Sequence, residues 1–385
     1  MVYLDNAATT KPYAQVVEKM RLIDEQVWGN PSSIHYAGRD ASEFLDNARK
    51  AIAKCIGASK EEVYFTSGGS ESNTQAIMSA IEYGQKTNRK IIICSPIEHH
   101  SVLHALDYAI SLGFEVYYIP IGTDGIIDPQ IVESMINLNV CLVSVMAVNN
   151  EIGTIQPIEE IGELCRKNKV LFHVDAVQAV GHIPMNFHKV KADYLTFSAH
   201  KFHGPKGTGV LCVSKKAPLS SLIFGGGQEQ SKRGGTENLP GIVGASLALK
   251  LSYDSMQENS LKVTHLRNKL ISGLEQRLED IQLNGSLISR VPGNVNITFK
   301  GVEGESLVIL LDSCGICAST GSACNSVSLE PSHVLKAIGM SNESALCSVR
   351  FSIDESNTDE EINYAILKIV ECVNMLRKMK GTMEV

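Results

Sequence analysis

From Glu62 onward the chain alternates short apolar runs with stretches of helical spacing. The runs are Val63 to Phe65, Ile91 to Cys94, Val116 to Ile119, Leu142 to Val148, Val170 to Val174, Tyr194 to Phe197 and Val210 to Val213. Such alternation predicts a largely parallel sheet covered by helices on both faces. Ahead of it the spacing predicts a helix from about Ala14 to Val27 and a second from Ala41 to Cys55, which Gly57 ends. A long helical region follows Asn238 to about Leu278. Beyond lie a strand (Val295 to Phe299), a helix (Glu305 to Leu311), a Gly/Ser/Cys-rich loop, a strand (Ser348 to Ile353) and a closing helix (Asp359 to Met379). The fold class expected is α/β, with a large sheet domain over 16–255 and a smaller α+β domain over 256–385. Residues 1–15 are expected to pack with the smaller domain. No internal repeat or low-complexity linker intervenes, so the lobes should pack directly.

Composition narrows the partners. The formal charge is -7 without basic blocks, which argues against nucleic acid and acidic membranes. Met1 runs straight into Val2-Tyr3-Leu4 and Asp5, unlike a signal peptide, and no apolar run approaches membrane-spanning length. Ten cysteines scattered over 385 residues read as reduced thiols in a cytoplasmic setting rather than as a disulfide framework.

Chemistry concentrates at strand ends, where open α/β sheets bind ligands. Ser198-Ala199-His200-Lys201 follows an apolar strand and leads into Gly204-Pro205-Lys206-Gly207. Lys201 reads as a Schiff-base lysine, whose amine must be partly unprotonated to attack a carbonyl. Burial, or a cationic neighbour such as His200, would lower its pKa toward that state. In Phe65-Thr66-Ser67-Gly68-Gly69-Ser70 a strand runs through glycines into a helix, leaving free N–H groups suited to a phosphate. Ser70 could equally be an ordinary helix cap. Asp175 ends another apolar strand, and Gln178 reaches the same side if a helical turn begins there. Their alternative reading is a helix cap with Gln178 facing solvent. His99 and Asn149-Asn150 follow two further strands. An anchoring lysine, a phosphate cup, an aspartate for a ring nitrogen and an imidazole for ring stacking are together what pyridoxal 5'-phosphate (PLP) needs.

At this point the chain resembles the cysteine desulfurases of the class V aminotransferase group. The resemblance runs from Tyr3-Leu4-Asp5-Asn6-Ala7-Ala8-Thr9-Thr10 through Ala147 to Gly153, Asp175 to Gln178, Ser198 to Gly207 and Arg233-Gly234-Gly235-Thr236-Glu237-Asn238. It continues to Thr320-Gly321-Ser322-Ala323-Cys324, Ser328 to His333 and Ser348 to Ser352. It implies the aspartate-aminotransferase-like (fold type I PLP) architecture, a homodimer with shared active sites, and conversion of L-cysteine to L-alanine with the sulfur kept as a persulfide. By position, it makes Lys201 the cofactor lysine, Asp175 the partner of the pyridine nitrogen, Gln178 that of the phenolic oxygen, and His99 the stacking residue that helps in proton transfer. Gly69, Ser70, Ser198 and His200 would bind phosphate, with Thr236 arriving from a neighbouring subunit. Asn150 and Arg350 would hold the substrate carboxylate, and Cys324 would be the nucleophile. A sulfur-acceptor protein, such as an iron–sulfur scaffold, completes the implied partners.

Cys324 stands out without the family, because Gly321, Ser322, Ser326 and Ser328 bracket it with no apolar periodicity, whereas Cys94, Cys141 and Cys212 sit within strand patterns and should be inert. The competing use of Cys314-Gly315-Ile316-Cys317 with Cys324 as a metal or iron–sulfur site rests on a single CxxC, and no metal is expected. The chain departs from the family at Gly69-Ser70, where Ala-Thr is usual, at Asp354-Glu355-Ser356-Asn357, where a glycine turn is usual, and in stopping at Val385, short of the tail that docks scaffold proteins in longer relatives. The remaining alternatives are a selenocysteine lyase, an ordinary PLP aminotransferase and a non-catalytic sulfur carrier or iron–sulfur protein.

Overall fold

The computed structural model describes residues 1–320 and 330–383. Its strands, in chain order, are β1 (Val2–Tyr3), β2 (Val63–Thr66), β3 (Ile91–Cys94), β4 (Glu115–Tyr118), β5 (Val140–Ser144), β6 (Leu171–Asp175), β7 (Tyr194–Ser198), β8 (Gly209–Val213), β9 (Ile281–Leu283), β10 (Asn294–Phe299), β11 (Ile316–Cys317) and β12 (Ser348–Ser352). Seven of them form one sheet in the order β2-β8-β7-β6-β5-β3-β4, in which only β8 runs antiparallel to its neighbours. Except in the edge strand β4, where Tyr117 and Tyr118 are exposed, the apolar runs are continuous because both faces are covered. Alternate side chains divide between two cores: Ile92, Cys94, Leu142 and Leu211 face the helices Gly69–Thr87 and His100–Ser111. Ile93, Val143, Phe172, Val174 and Phe197 face the other layer, which includes Ala14–Gln26, Tyr36–Ile56 and Leu239–Asp254.

A separate core forms around β10, which pairs antiparallel with β9 and β12. Val263, Leu266, Leu270 and Leu274 of the helix Met256–Glu275 meet Ile362, Ile366, Ile369 and Val373 of the helix Asp359–Met383 at helical spacing. Gly273 lets the two approach, since a Cβ there would lie 2.5 Å from Ile366 Cδ1. The first residues join this core: β1 pairs in parallel with β11, and Val2 and Leu4 are buried in it.

Three expectations change. The run Leu142 to Val148 leaves the strand after Ser144, although Val145 and Ala147 still donate their N–H groups to His173 and Asp175 carbonyls. The run bends because Asn149 Oδ1 accepts the Glu151 and Ile152 N–H groups in a turn. The helical region after Asn238 is two helices broken at Ser255, where no glycine or proline marked the break. The second helix begins at Tyr36, capped by His35 Nδ1, which accepts the Gly38 N–H.

Candidate active site

The turn after β2 lies against the ends of β7 and β8. Register pairs Thr66 with Gly209 and Ser198 with Gly209, and a Cβ on Gly209 would fall 2.5 Å from the Gly68 backbone. Gly68 precedes the helix Gly69–Thr87, and Ser72 N–H is bonded back to Gly68 O at 3.2 Å. The N–H groups of Gly69, Ser70 and Glu71 have no acceptor in the helix backbone, whereas that of Ser67 is taken by Glu71 Oε2 at 2.8 Å. A Cβ on Gly69 would come within 2.9 Å of Val177 Cγ2 and 3.8 Å of Ser198 Cβ, so the start of this helix packs closely against the ends of β6 and β7. Ser70 is the second helical residue with an exposed side chain, not the cap.

Lys201 sits on the short turn Ala199–Lys201 directly after β7, and its Nζ donates to the carbonyl oxygens of Ala7 and Ala8, both at 2.7 Å. Gln178 Nε2 donates to the same Ala7 oxygen at 2.9 Å rather than facing solvent. His200 Nδ1 lies 3.2 Å from Thr9 Oγ1. Burial, reinforced by Lys201 and Lys206, pushes the His200 ring down to about pKa 4. It is therefore neutral near neutral pH, which removes it as the cationic neighbour expected to activate Lys201.

Asp175 ends β6, is 3% exposed, and accepts from Val177 N–H at 2.9 Å and from Asn73 Nδ2 at 2.7 Å. No helix follows Asp175, so it is not a helix cap: one carboxylate oxygen closes a turn and the second is held by a buried side chain. His99 is half-buried at the start of the helix His100–Ser111, and burial pushes its pKa down. Arg350, on β12 and 4% exposed, brings the smaller core to the same edge. Its Nη1 donates to Asn150 O at 2.9 Å and its Nη2 to Asp5 Oδ1 at 3.0 Å, while its buried Nε has no partner among the described residues.

The residues therefore gather from four strand ends and from the N-terminal loop. Thr236 does not join them: it is exposed and makes no hydrogen bond to the others among the described residues. Cys324 lies outside the described residues. Burial pushes the thiols of Cys94 and Cys212 far up and that of Cys141 to about 12, as expected of strand cysteines. Sequence reasoning missed Asp5, Asn73, Ser101, His173 and the carbonyl groups of Ala7 and Ala8. Only His173, a polar residue inside an apolar strand, carried a visible signal.

The aminotransferase class-V family profile matches residues 2–364. The chain belongs to that family. A curated cysteine desulfurase IscS of Dictyoglomus turgidum is 44% identical over 98% of this chain and 95% of its own length. One of Methanosarcina thermophila is 45% identical over 98% and 93%. Among solved structures, a NifS-like protein superposes with a TM-score of 0.91 at 38% identity, covering 97% of this chain and 99% of its own. SspA in complex with cysteine gives a TM-score of 0.81 at 34% identity over 92% and 99%. Class-V aminotransferases depend on PLP, and the residues present fit it: the Gly68-Gly69 turn and the helix-start N–H groups suit its phosphate, and Lys201 follows β7, whose last residue Ser198 lies against Gly69. Among the described residues no helix is long and apolar enough to cross a membrane, and no three His, Cys, Asp or Glu residues are grouped to hold a metal.

Proposed function

We propose that the chain is a PLP-dependent cysteine desulfurase that converts L-cysteine to L-alanine and retains the sulfur as a persulfide on Cys324. One observation carries the reading: the Gly68-Gly69 turn, Asp175, Lys201 and Arg350 meet at one sheet edge in a chain that matches cysteine desulfurases nearly end to end. PLP, when bound, supplies a sink for the electrons released at the substrate Cα. Lys201 Nζ would hold it covalently and, once released, would take the Cα proton. Asp175, oriented by Val177 and Asn73, would face the pyridine nitrogen and favour its protonated form. Gln178 would face the phenolic oxygen, His99 would stack on the ring, and Gly69, Ser70, Ser198 and His200 would hold the phosphate.

Asn150 and Arg350 receive the substrate carboxylate, for which the partnerless Nε–H and the planar guanidinium supply donors. The Cys324 thiolate attacks the substrate sulfur, the C–S bond breaks toward Cβ, and protonation gives alanine. The exposed Thr236, with exposed Trp28, Ile34, Tyr36 and Phe224, supports a homodimer in which Thr236 completes the site of a second copy. The division into 1–15, 16–255 and 256–385, a cytoplasmic setting and an iron–sulfur or other sulfur-acceptor protein belong to the same proposal.

Incubation with L-cysteine should yield alanine, with the added sulfur found by mass spectrometry on the peptide containing Cys324. Cys324→Ser should bind PLP and cysteine yet release no alanine, because a serine hydroxyl is barely ionised near neutral pH. Full alanine production by this variant, or sulfur found on Cys314 or Cys317 instead, would overturn the assignment.

A further inference from the structure

Behind the site a chain of buried polar groups crosses the sheet. Ser144 Oγ lies 2.8 Å from His173 Nδ1, and His173 Nε2 lies 3.1 Å from Asn73 Oδ1. Asn73 Nδ2 reaches Asp175 Oδ2 at 2.7 Å and Ser101 Oγ at 2.9 Å. Ser101 Oγ is 2.9 Å from His99 Nδ1. Ser144 and His173 are fully buried, and Asn73 is 1% exposed. Each contact has two possible directions, but a backbone group decides them together. The Ser101 N–H donates to His99 Nδ1 at 3.1 Å, so that nitrogen is an acceptor and carries no proton. Ser101 Oγ must then donate its own proton to His99 Nδ1, and can only accept from Asn73.

That fixes the Asn73 amide with Nδ2 toward Ser101 and Asp175. Its Oδ1 therefore accepts from His173 Nε2–H, and His173 Nδ1 accepts from Ser144 O–H. The Asp175 end selects the same direction independently, because the flipped amide would set Asn73 Oδ1 against a carboxylate oxygen, acceptor facing acceptor.

We infer that this relay holds His99 as a neutral imidazole with its proton on Nε2, so that Nε2–H is the group it presents to the reacting species. Asn73 and His173 are positioning residues that act through Asp175 and His99. To become cationic, His99 would have to take a proton at Nδ1 and expel two donors at once. Burial works in the same direction, pushing His99 down and His173 to about 4. A neutral imidazole donating from a fixed nitrogen is an effective stabiliser of developing negative charge. The tautomer assignment concerns the protein alone; its catalytic consequence rests on the desulfurase reading.

The test is nitrogen NMR on full-length holoenzyme with 15N-labelled histidine, joined to kinetics. His99 and His173 should each show one protonated nitrogen, at Nε2, and one bare nitrogen, at Nδ1. A proton on Nδ1 of either ring, or a charged His99 near neutral pH, overturns the inference whether or not the protein is a desulfurase. His173→Leu removes the donor to Asn73 and should lower kcat by about tenfold or more with little change in KM. His173→Gln restores an N–H at that place and should recover much of the loss. Ser101→Ala, the milder change, should shift the His99 nitrogen signals. Leucine and glutamine variants that cannot be told apart, or unchanged His99 signals in Ser101→Ala, would equally overturn it.

Discussion

Glu355 offers a direct measure of how the Lys201 turn is tied to the C-terminal core. It lies in the stretch Asp354-Glu355-Ser356-Asn357, and Tyr13 O–H donates to its Oε1 at 2.5 Å. His203, two residues after Lys201, stacks on Tyr13 with ring centroids 4.3 Å apart and donates from Nδ1 to Lys11 O at 2.9 Å. Its Nε2 is 3.3 Å from Glu355 Oε1 and 3.9 Å from Asp354 Oδ2, which is an ion pair rather than an aligned hydrogen bond. Burial opposes both charges, but each partner outweighs it: His203 and Tyr13 hold Glu355 down at about 2, and Glu355 raises His203. A fall from 4.5 to about 2 corresponds to roughly 3 kcal/mol. With the Glu355 side chain still 23% exposed, Glu355→Gln should cost roughly 2–3 kcal/mol.

The Glu355 contribution is complete above its unfolded value of 4.5 and lost as pH falls toward 2. The His203 contribution is complete below its unfolded value of 6.5 and lost as pH rises through its raised folded pKa. The pair is therefore strongest between those two unfolded values. Urea unfolding followed by circular dichroism at about pH 5.5 and about pH 9 should show a larger cost of Glu355→Gln at the lower pH. In a His203→Gln background that difference should disappear. Equal costs at both pH values, or additive single and double variants, would refute the pairing.

Lys201→Ala should no longer become covalently linked to PLP on borohydride treatment, and linkage in that variant would remove Lys201 from its role. Asp175→Ala removes one of the two acceptors of the Asn73 amide and would leave the pyridine nitrogen without the carboxylate proposed for it. PLP affinity should fall by about tenfold or more, read by spectrophotometric titration, and wild-type turnover would refute the assignment.

Most strands of the large sheet were legible because burial on both faces makes a short apolar run, too brief for a helix and bounded by turn residues. Lys201, Asp175 and His99 were legible for a related reason: each polar residue follows such a run, and sheet geometry sends strand ends to one edge. The rest depends on contacts distant in sequence. Asp5 meets Arg350 only because Asp5 bridges to Ser352, and Asn73 meets Asp175 only because the helix Gly69–Thr87 lies across β6. His200 misled because a histidine beside a lysine looks cationic until its burial is known. The break at Ser255 left no mark because serine is compatible with either a helix or its end.

The Asp5 contact makes a prediction in which two effects compete. Asp5 pairs with Arg350, the group proposed to bind the substrate carboxylate, and so both orients that guanidinium and neutralises part of its charge. Asp5→Asn keeps an acceptor of the same shape and removes the charge. If orientation mattered more, binding of cysteine would weaken. Arg350 is held independently, however, by its bond to Asn150 O and by its place in β12 opposite Asn296. Loss of the competing carboxylate should therefore win. Replacing a charge-assisted partner by a neutral one is worth about 1 kcal/mol, or about fivefold in affinity. Asp5→Asn should bind L-alanine and L-cysteine about fivefold more tightly, measured as product inhibition and spectral titration, at a cost of about 1 kcal/mol in stability. Cysteamine, which lacks the carboxylate, should bind the variant and the wild type alike. Weaker alanine binding in the variant would show that Asp5 serves to aim Arg350, and a parallel gain for cysteamine would show that the carboxylate is not what Arg350 receives.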